Sequence, residues 1–204
     1  MYGFLILWDS SVAEQEERLI EVALKEAIEV FPGCTFIAVR PDSKEMPISV
    51  ADSIVLSASI EKNLVSASDI AKTIEDIRKD ILGISAEVYV IFVTAIDIAP
   101  DQNTAPAKIV VQSFNDYKNL ALEDEMYCFL HSFCSTIGAL LGLSSARICE
   151  NDKCVMHSAK NTEELLEQAR LEDHGELRIC EKCKKTLYRL MPLAFCEYSS
   201  YEII

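Results

Sequence analysis

Residues 149–156 read Cys149-Glu150-Asn151-Asp152-Lys153-Cys154-Val155-Met156, and residues 180–183 read Cys180-Glu181-Lys182-Cys183. The two cysteine pairs have the spacings C-x4-C and C-x2-C, with 25 residues between them. A tetrahedral zinc site takes four ligands about 2.3 Å from the ion, and close pairs on tight turns supply two each. The long connection is no obstacle, because the metal itself closes the loop. Cys149, Cys154, Cys180 and Cys183 are therefore expected to hold one structural Zn²⁺, with no open coordination position and so no catalytic part. Four thiolates around one Zn²⁺ leave a negative site, which Lys153, Lys182, Lys184 and Lys185 lie beside in sequence and would offset. Two other readings compete: a redox dithiol at Cys180 and Cys183, and four unrelated thiols. A redox C-x-x-C opens a helix directly after a strand, whereas this one follows a charged, helical connection.

The rest of the chain sets the context of that module. At 204 residues it is long enough to bury one full core. Its formal net charge of −14 argues against nucleic acid, whose phosphates demand a surplus of Lys and Arg, and against anionic membranes. No stretch reaches the roughly 18 apolar residues of a membrane helix. The apolar run from Tyr2 to Trp8 is short, lacks a basic leader and is followed at once by Asp9, so it reads as a first strand and not as a signal peptide. A cytoplasmic location follows. There the eight cysteines stay reduced unless they bind metal or do redox chemistry. Cys34, Cys128, Cys134 and Cys196 sit among apolar neighbours and are expected to pack as small hydrophobes.

The order of elements predicts an α/β protein. Strand 2–8 precedes a helix over 11–31, whose Leu19, Ile20, Ala23, Leu24, Ala27 and Ile28 recur at helical spacing. Pro32-Gly33 stops it, and Cys34–Val39 forms a second strand. Residues 40–66, rich in serine and proline, read as loop with one strand near Ile54–Leu56. Ile70, Ile74, Ile77 and Ile81 give a helix over 67–82, capped by Ser66 or Ser68 and ended at Gly83. The run 87–93 (EVYVIFV) is the strongest strand, 97–107 is a loop, and 108–113 is a strand short enough for a sheet edge. A helix spans 121–142, with Glu123, Asp124 and Glu125 favourable in its first turn. Beyond Gly142 the texture changes, so 1–142 reads as an α/β core and 143–204 as the zinc module and C-terminal segment of one compact domain. A further helix starts at Asn161-Thr162, with Asn161 and Glu164 at capping-box spacing, and runs to Leu171.

Gly142-Leu143, followed by Cys149-x4-Cys154-Val155-Met156 and then Cys180-x2-Cys183, resembles the archaemetzincins. Their signature reads H-E-x-x-H-x-x-G-x-x-H-C-x4-C-x-M, followed by C-x-x-C. The resemblance implies a metzincin-like mixed sheet packed with helices, with 121–142 as the active-site-type helix and Met156 as the equivalent of the family's methionine turn. It also implies three histidines for a catalytic zinc, a glutamate as general base, and four cysteines for a structural zinc. Here the chain departs from the pattern. Aligned on Gly142, the histidine, glutamate and second histidine fall on Ser135, Thr136 and Ala139, and the third histidine on Ser145. Aligned on Cys149, they fall on Gly138, Ala139 and Gly142, with Ile148 as the third.

Neither register holds a ligand or a base. Zinc peptidases need two imidazoles at i and i+4 on one helix face and a carboxylate to take the proton of the bound water. No catalytic residue and no second, catalytic zinc are therefore expected. The chain reads as an archaemetzincin-like zinc-binding pseudopeptidase. The alternative is an active zinc metallopeptidase with non-standard ligands, for which the chain's histidines offer His131, with Cys134 beside it, and His157; His174 reads as a solvated loop residue. A Ser135–His131 nucleophile and base lacks an acidic orienter. A zinc-ribbon adaptor whose α/β part binds a small molecule is a third possibility. As partner, an extended peptide or protein could pair along the strand 108–113, as peptides do on exposed sheet edges.

Overall fold

The computed structural model describes residues 2–41, 49–59, 64–78, 83–99, 108–143, 149–151, 153–157, 159, 162–171, 179–190 and 200–204. These residues group into two compact units, one of residues 17–34 and 116–200 and the other of residues 2–16, 35–115 and 201–204.

The sheet belongs to the second unit. Strands β1 (Tyr2–Trp8), β2 (Cys34–Val39), β4 (Tyr89–Thr94), β6 (Ile109–Ser113) and β7 (Ser200–Ile203) lie in the order β6-β4-β1-β2-β7. β1 runs parallel to β4, with Phe4 opposite Tyr89 and Trp8 opposite Val93. β4 runs parallel to β6, with Val90 opposite Ile109 and Thr94 opposite Ser113. Every residue of β4 is buried, as its unbroken apolar run demands of a strand covered on both faces. At the edge, β6 buries only its two end residues. Phe4 stacks on Phe36 at 5.1 Å and on Tyr89 at 4.9 Å, tying three neighbouring strands together.

One face of this sheet is covered by α2 (Ser49–Ser59) and α3 (Ala67–Ile77), whose Ala51, Ile54, Ile70, Ala71 and Ile74 share a buried cluster with Leu5, Leu7, Val90, Phe92 and Ile109. The strand expected near Ile54–Leu56 is thus a helix. Val50, Ala51, Ile54, Val55 and Ala58 form one helical stripe, and its packing against the sheet overrides the β preference of the isolated Ile-Val-Leu run. For α3 the structure selects Ser66 as the N-cap. Its hydroxyl accepts from the Asp69 N–H at 3.2 Å, and the Asp69 carboxylate accepts from the Ser66 N–H at 3.4 Å. Ile81 lies outside the described residues. Inside the stretch expected as loop, Ile98–Ala99 (β5) pairs with Val65–Ser66 (β3) as a two-residue parallel bridge. β7 was not expected at all. It is anchored by Ile204 N–H to the Ala38 carbonyl at 2.8 Å and by Arg40 N–H to the Ile204 carbonyl at 2.9 Å.

A buried hydrogen-bonded hub closes the carboxyl end of β1 and β4. Asp9, 2 % exposed, accepts from Thr94 Oγ1 at 2.6 Å and from the Ser11 N–H at 2.9 Å, and the Ser11 hydroxyl donates to it as well. Ser10 donates through its N–H and its hydroxyl to Asp52 at the start of α2, both at 2.9 Å.

The first unit holds α1 (Glu14–Val30) from Glu17 onward, with α4 (Leu122–Leu140), α5 (Thr162–Leu171) and α6 (Glu181–Leu190). α1 buries Leu19, Ile20, Ala23, Leu24 and Ala27 of the predicted stripe and leaves Ile28 half-buried. The capping residue expected for α5, Asn161, lies outside the described residues. α6 was missed by the sequence reading, since Glu-Lys-Cys-Lys-Lys reads as polar linker until Leu187, fully buried, shows which face is covered.

Candidate metal centre

α4 ends in a turn that sends the chain toward the cysteines. Gly142 N–H bonds the Ala139 carbonyl at 2.9 Å and Leu143 N–H the Gly138 carbonyl at 2.9 Å, the paired pattern of a Schellman motif. Gly142 carries φ +98°, a conformation that strains any residue with a Cβ. The loop that follows returns to the same helix. A Cβ built at Gly138 would overlap the Met156 sulfur and lie 3.2 Å from Leu143 Cδ1. Met156 therefore rests on Gly138, where α4 presents no side chain.

The same loop carries Cys149 and Cys154, both buried, while Cys180 precedes α6 and Cys183 lies in its first turn. The structure brings these four together, with all four sulfurs within 4.8 Å of one another. Four sulfurs bound tetrahedrally to one zinc stand about 3.8 Å apart, and Cys149 Sγ and Cys180 Sγ are 3.6 Å apart. The Cys180 N–H donates to Cys154 Sγ at 3.2 Å, the sort of second layer that orients a thiolate ligand. The N-terminus of α6 adds a favourable dipole at Cys180 and Cys183.

Burial, with the neighbouring Cys149 charge adding to it, pushes the Cys154 thiol up to about 12. Burial and the hydrogen bond with Cys149 push Cys183 up further. At Cys180 burial acts in the same direction but is outweighed by hydrogen bonds from the Cys183 backbone and from the other three thiols, so its value falls. Four thiols so close share protons unless a cation neutralises them, and the donor set of four sulfurs suits one zinc ion. Lys182 Nζ lies 3.8 Å from a Glu150 carboxylate oxygen. The C-x-x-C pair opens a helix, α6, which the pattern of residues after the charged connection does not predict.

A second feature faces α4. His131, Ser132, Ser135, Thr136 and Ala139 line one wall of a cavity of ≈ 250 Å³. His157, Ala159 and Leu165 of α5 line the other. Of the four positions expected for ligands and base in the register aligned on Gly142, Ser135, Thr136 and Ala139 line this cavity; Ser145, and Ile148 of the other register, lie outside the described residues. His131 is 2 % exposed. Burial, with a smaller part from His157, lowers its pKa to about 4. Such an imidazole is a weak proton acceptor, and among the described residues no carboxylate lines the cavity to orient it. His157 Nδ1 lies 2.5 Å from the Cys149 carbonyl, and the backbone N–H of His157 donates to the Cys154 carbonyl at 2.7 Å. Cys134 is fully buried and does not line the cavity, and Cys34 and Cys128 are likewise buried. His174 and Cys196 lie outside the described residues. Among the described residues the four cysteines are the one group of three or more metal-ligating side chains with converging ligand atoms.

No protein-family profile and no curated protein matches the chain. Solved structures do. The crystal structure of an archaemetzincin from Methanopyrus kandleri superposes with a TM-score of 0.63 at 13% identity, over 94% of this chain and 96% of that one. A zinc-dependent peptidase from Methanocorpusculum labreanum superposes with a TM-score of 0.59 at 18% identity, over 91% of this chain and 100% of that one. The chain has an archaemetzincin-like fold with a cysteine cluster able to hold one zinc ion.

Proposed function

We propose that this protein is a catalytically silent relative of the zinc peptidases whose fold it shares, keeping the structural zinc and the scaffold but not the hydrolytic centre. The observation that carries the reading is the face of α4. Ser135, Thr136 and Ala139 line a cavity there, where alanine can bind no metal and a neutral hydroxyl cannot take a proton from water near neutral pH. In the reading, Cys149, Cys154, Cys180 and Cys183 hold the zinc that fastens α6 to the loop after α4. When bound, that ion supplies cross-linking and charge neutralisation only. Thiolate ligands and free thiols suit a reducing compartment such as the cytoplasm. β6, at the sheet edge, would offer backbone pairing to an extended peptide or a partner protein.

Metal analysis joined to a peptide-cleavage assay tests this. One zinc per chain and no cleavage of a peptide library above the blank are expected. Two zincs per chain, with cleavage lost on brief chelation, would overturn it. That outcome favours the second reading, an active metallopeptidase with non-standard ligands, for which His131 and His157 facing one cavity is the supporting observation.

A further inference from the structure

α6 concentrates positive charge in an acidic chain. Residues 182–189 read Lys182-Cys183-Lys184-Lys185-Thr186-Leu187-Tyr188-Arg189, four of the chain's 19 lysines and arginines, whereas the net charge of the whole is −14. Lys182 Nζ lies near the Glu150 carboxylate, at 3.8 Å. Lys184, Lys185 and Arg189 line a groove of ≈ 390 Å³, together with Glu181 and Tyr188. All five lining residues are exposed, Tyr188 to 60 %.

The helical period makes this an outer face. At about 100° per residue, Lys185 and Arg189 project about 160° from Leu187, which is fully buried. Lys185, close to the cysteines in sequence, is thereby turned away from the face that carries Cys183. Lys184 and Tyr188, at i and i+4, stand one above the other on the flank. Five residues separate Lys184 from Arg189, a rise of about 7.5 Å along the axis. Side chains on one side of an extended peptide repeat at about 6.7 Å, so successive carboxylates of such a peptide match successive cations. A single compact anion reaches only part of the stripe, and a nucleic acid carries its charge past the patch onto a chain of net −14.

We propose that the outer face of α6 docks an acidic segment of a partner protein, bound extended so that alternate carboxylates meet Lys184, Lys185 and Arg189. Charge complementarity between that segment and the stripe carries the inference. Arg189 presents a planar fork that a carboxylate can accept from twice, while the lysines act as point charges. The exposed Tyr188 ring gives an apolar side chain of the segment a surface between the cations. Glu181, at the N-terminal end of the groove, repels a further carboxylate and so fixes where the acidic run ends. This surface is separate from the β6 edge, and the inference does not depend on whether α4 is catalytic.

The test is fluorescence anisotropy on the zinc-loaded full chain. The probes are a labelled octapeptide alternating glutamate and leucine, its glutamine counterpart, and an oligothymidylate of equal length. Saturable binding of the glutamate peptide is expected, at least tenfold tighter than the glutamine peptide and weakened by added salt. Lys185→Gln with Arg189→Gln should weaken it about fivefold with zinc content retained. Lys25→Gln with Lys72→Gln removes the same charge from exposed positions of α1 and α3 and should leave binding unchanged. In the wild-type chain the same peptide should shift the backbone amide NMR signals of residues 181–189, a readout that needs no variant to fold. Equal binding of the two peptides, equal effects of the two substituted pairs, or shifts confined to other elements would overturn the proposal. Oligothymidylate binding as tightly as the glutamate peptide would also overturn it, and would assign the face to nucleic acid.

Discussion

The imidazole of His157 and the carbonyl of Cys149 lie 2.5 Å apart, linking the lining of the α4 cavity to a residue of the sulfur cluster. The bond holds the peptide unit of a ligand residue, and loss of such outer contacts commonly costs about 10–100-fold in metal affinity. His157→Phe should therefore lower zinc affinity about tenfold, read by competition with a chromophoric chelator. Retention of full affinity would show that the loop is held elsewhere.

Cys149→Ser with Cys183→Ser removes one sulfur from each half of the cluster. The doubly substituted chain should lose its zinc and become protease-sensitive between α4 and α6, because metal binding and local folding are one equilibrium. Proteolysis mapped by mass spectrometry, beside the metal content, checks both. A zinc-bearing double variant would refute the ligand set.

Gly138→Ala should lower stability by about 1 kcal/mol. The helix gains from alanine, but the new methyl displaces the Met156 sulfur and crowds Leu143. In a Met156→Ala background the same substitution should instead stabilise, by about 0.5–1 kcal/mol. Urea unfolding of the four chains gives the cycle; equal effects in both backgrounds would show no contact between the two residues.

Asp9→Ala should destabilise by about 3 kcal/mol, since it strips a charged acceptor from Thr94 and from both donors of Ser11 in a site 2 % exposed. Asp52→Ala, whose Ser10 partners are exposed, should cost under about 1 kcal/mol. Denaturant melts of the two variants decide the ranking.

His131 gives a pH dependence with a fixed sign. Its folded value of about 4 lies below the ordinary 6.5, so the unfolded chain binds the extra proton between them. The stability it contributes is whole above pH 6.5 and is lost as pH falls toward 4, by up to about 3 kcal/mol. The stability difference between wild type and His131→Phe, followed over that window, should change by about this amount; a flat difference would mean that His131 titrates normally.

Strands 2–8 and 34–39 and the helix over 11–31 were legible because one buried face writes its period into consecutive residues. The same reasoning failed over 49–59. There Ile54, Val55 and Leu56 adjoin like strand residues, and only the cover that α2 makes over Leu7 and Phe92 shows which of them is buried. α6 and β7 failed for a related reason, being short and mostly exposed. Their stability comes from Leu187, the cysteines and the β2 backbone, and none of these leaves a repeating pattern.

The amino-acid sequence by itself determined the four candidate ligands and the absence of histidine and glutamate from Ser135, Thr136 and Ala139, because ligand identity and local spacing are properties of the chain. Tertiary structure alone decided that sulfurs 31 residues apart meet at 3.6 Å, that Met156 seats on Gly138, and that His131 and His157 share one cavity. The physical reason is that convergence of distant side chains depends on how a whole turn and loop fold back on a helix. No window of neighbouring residues records that geometry.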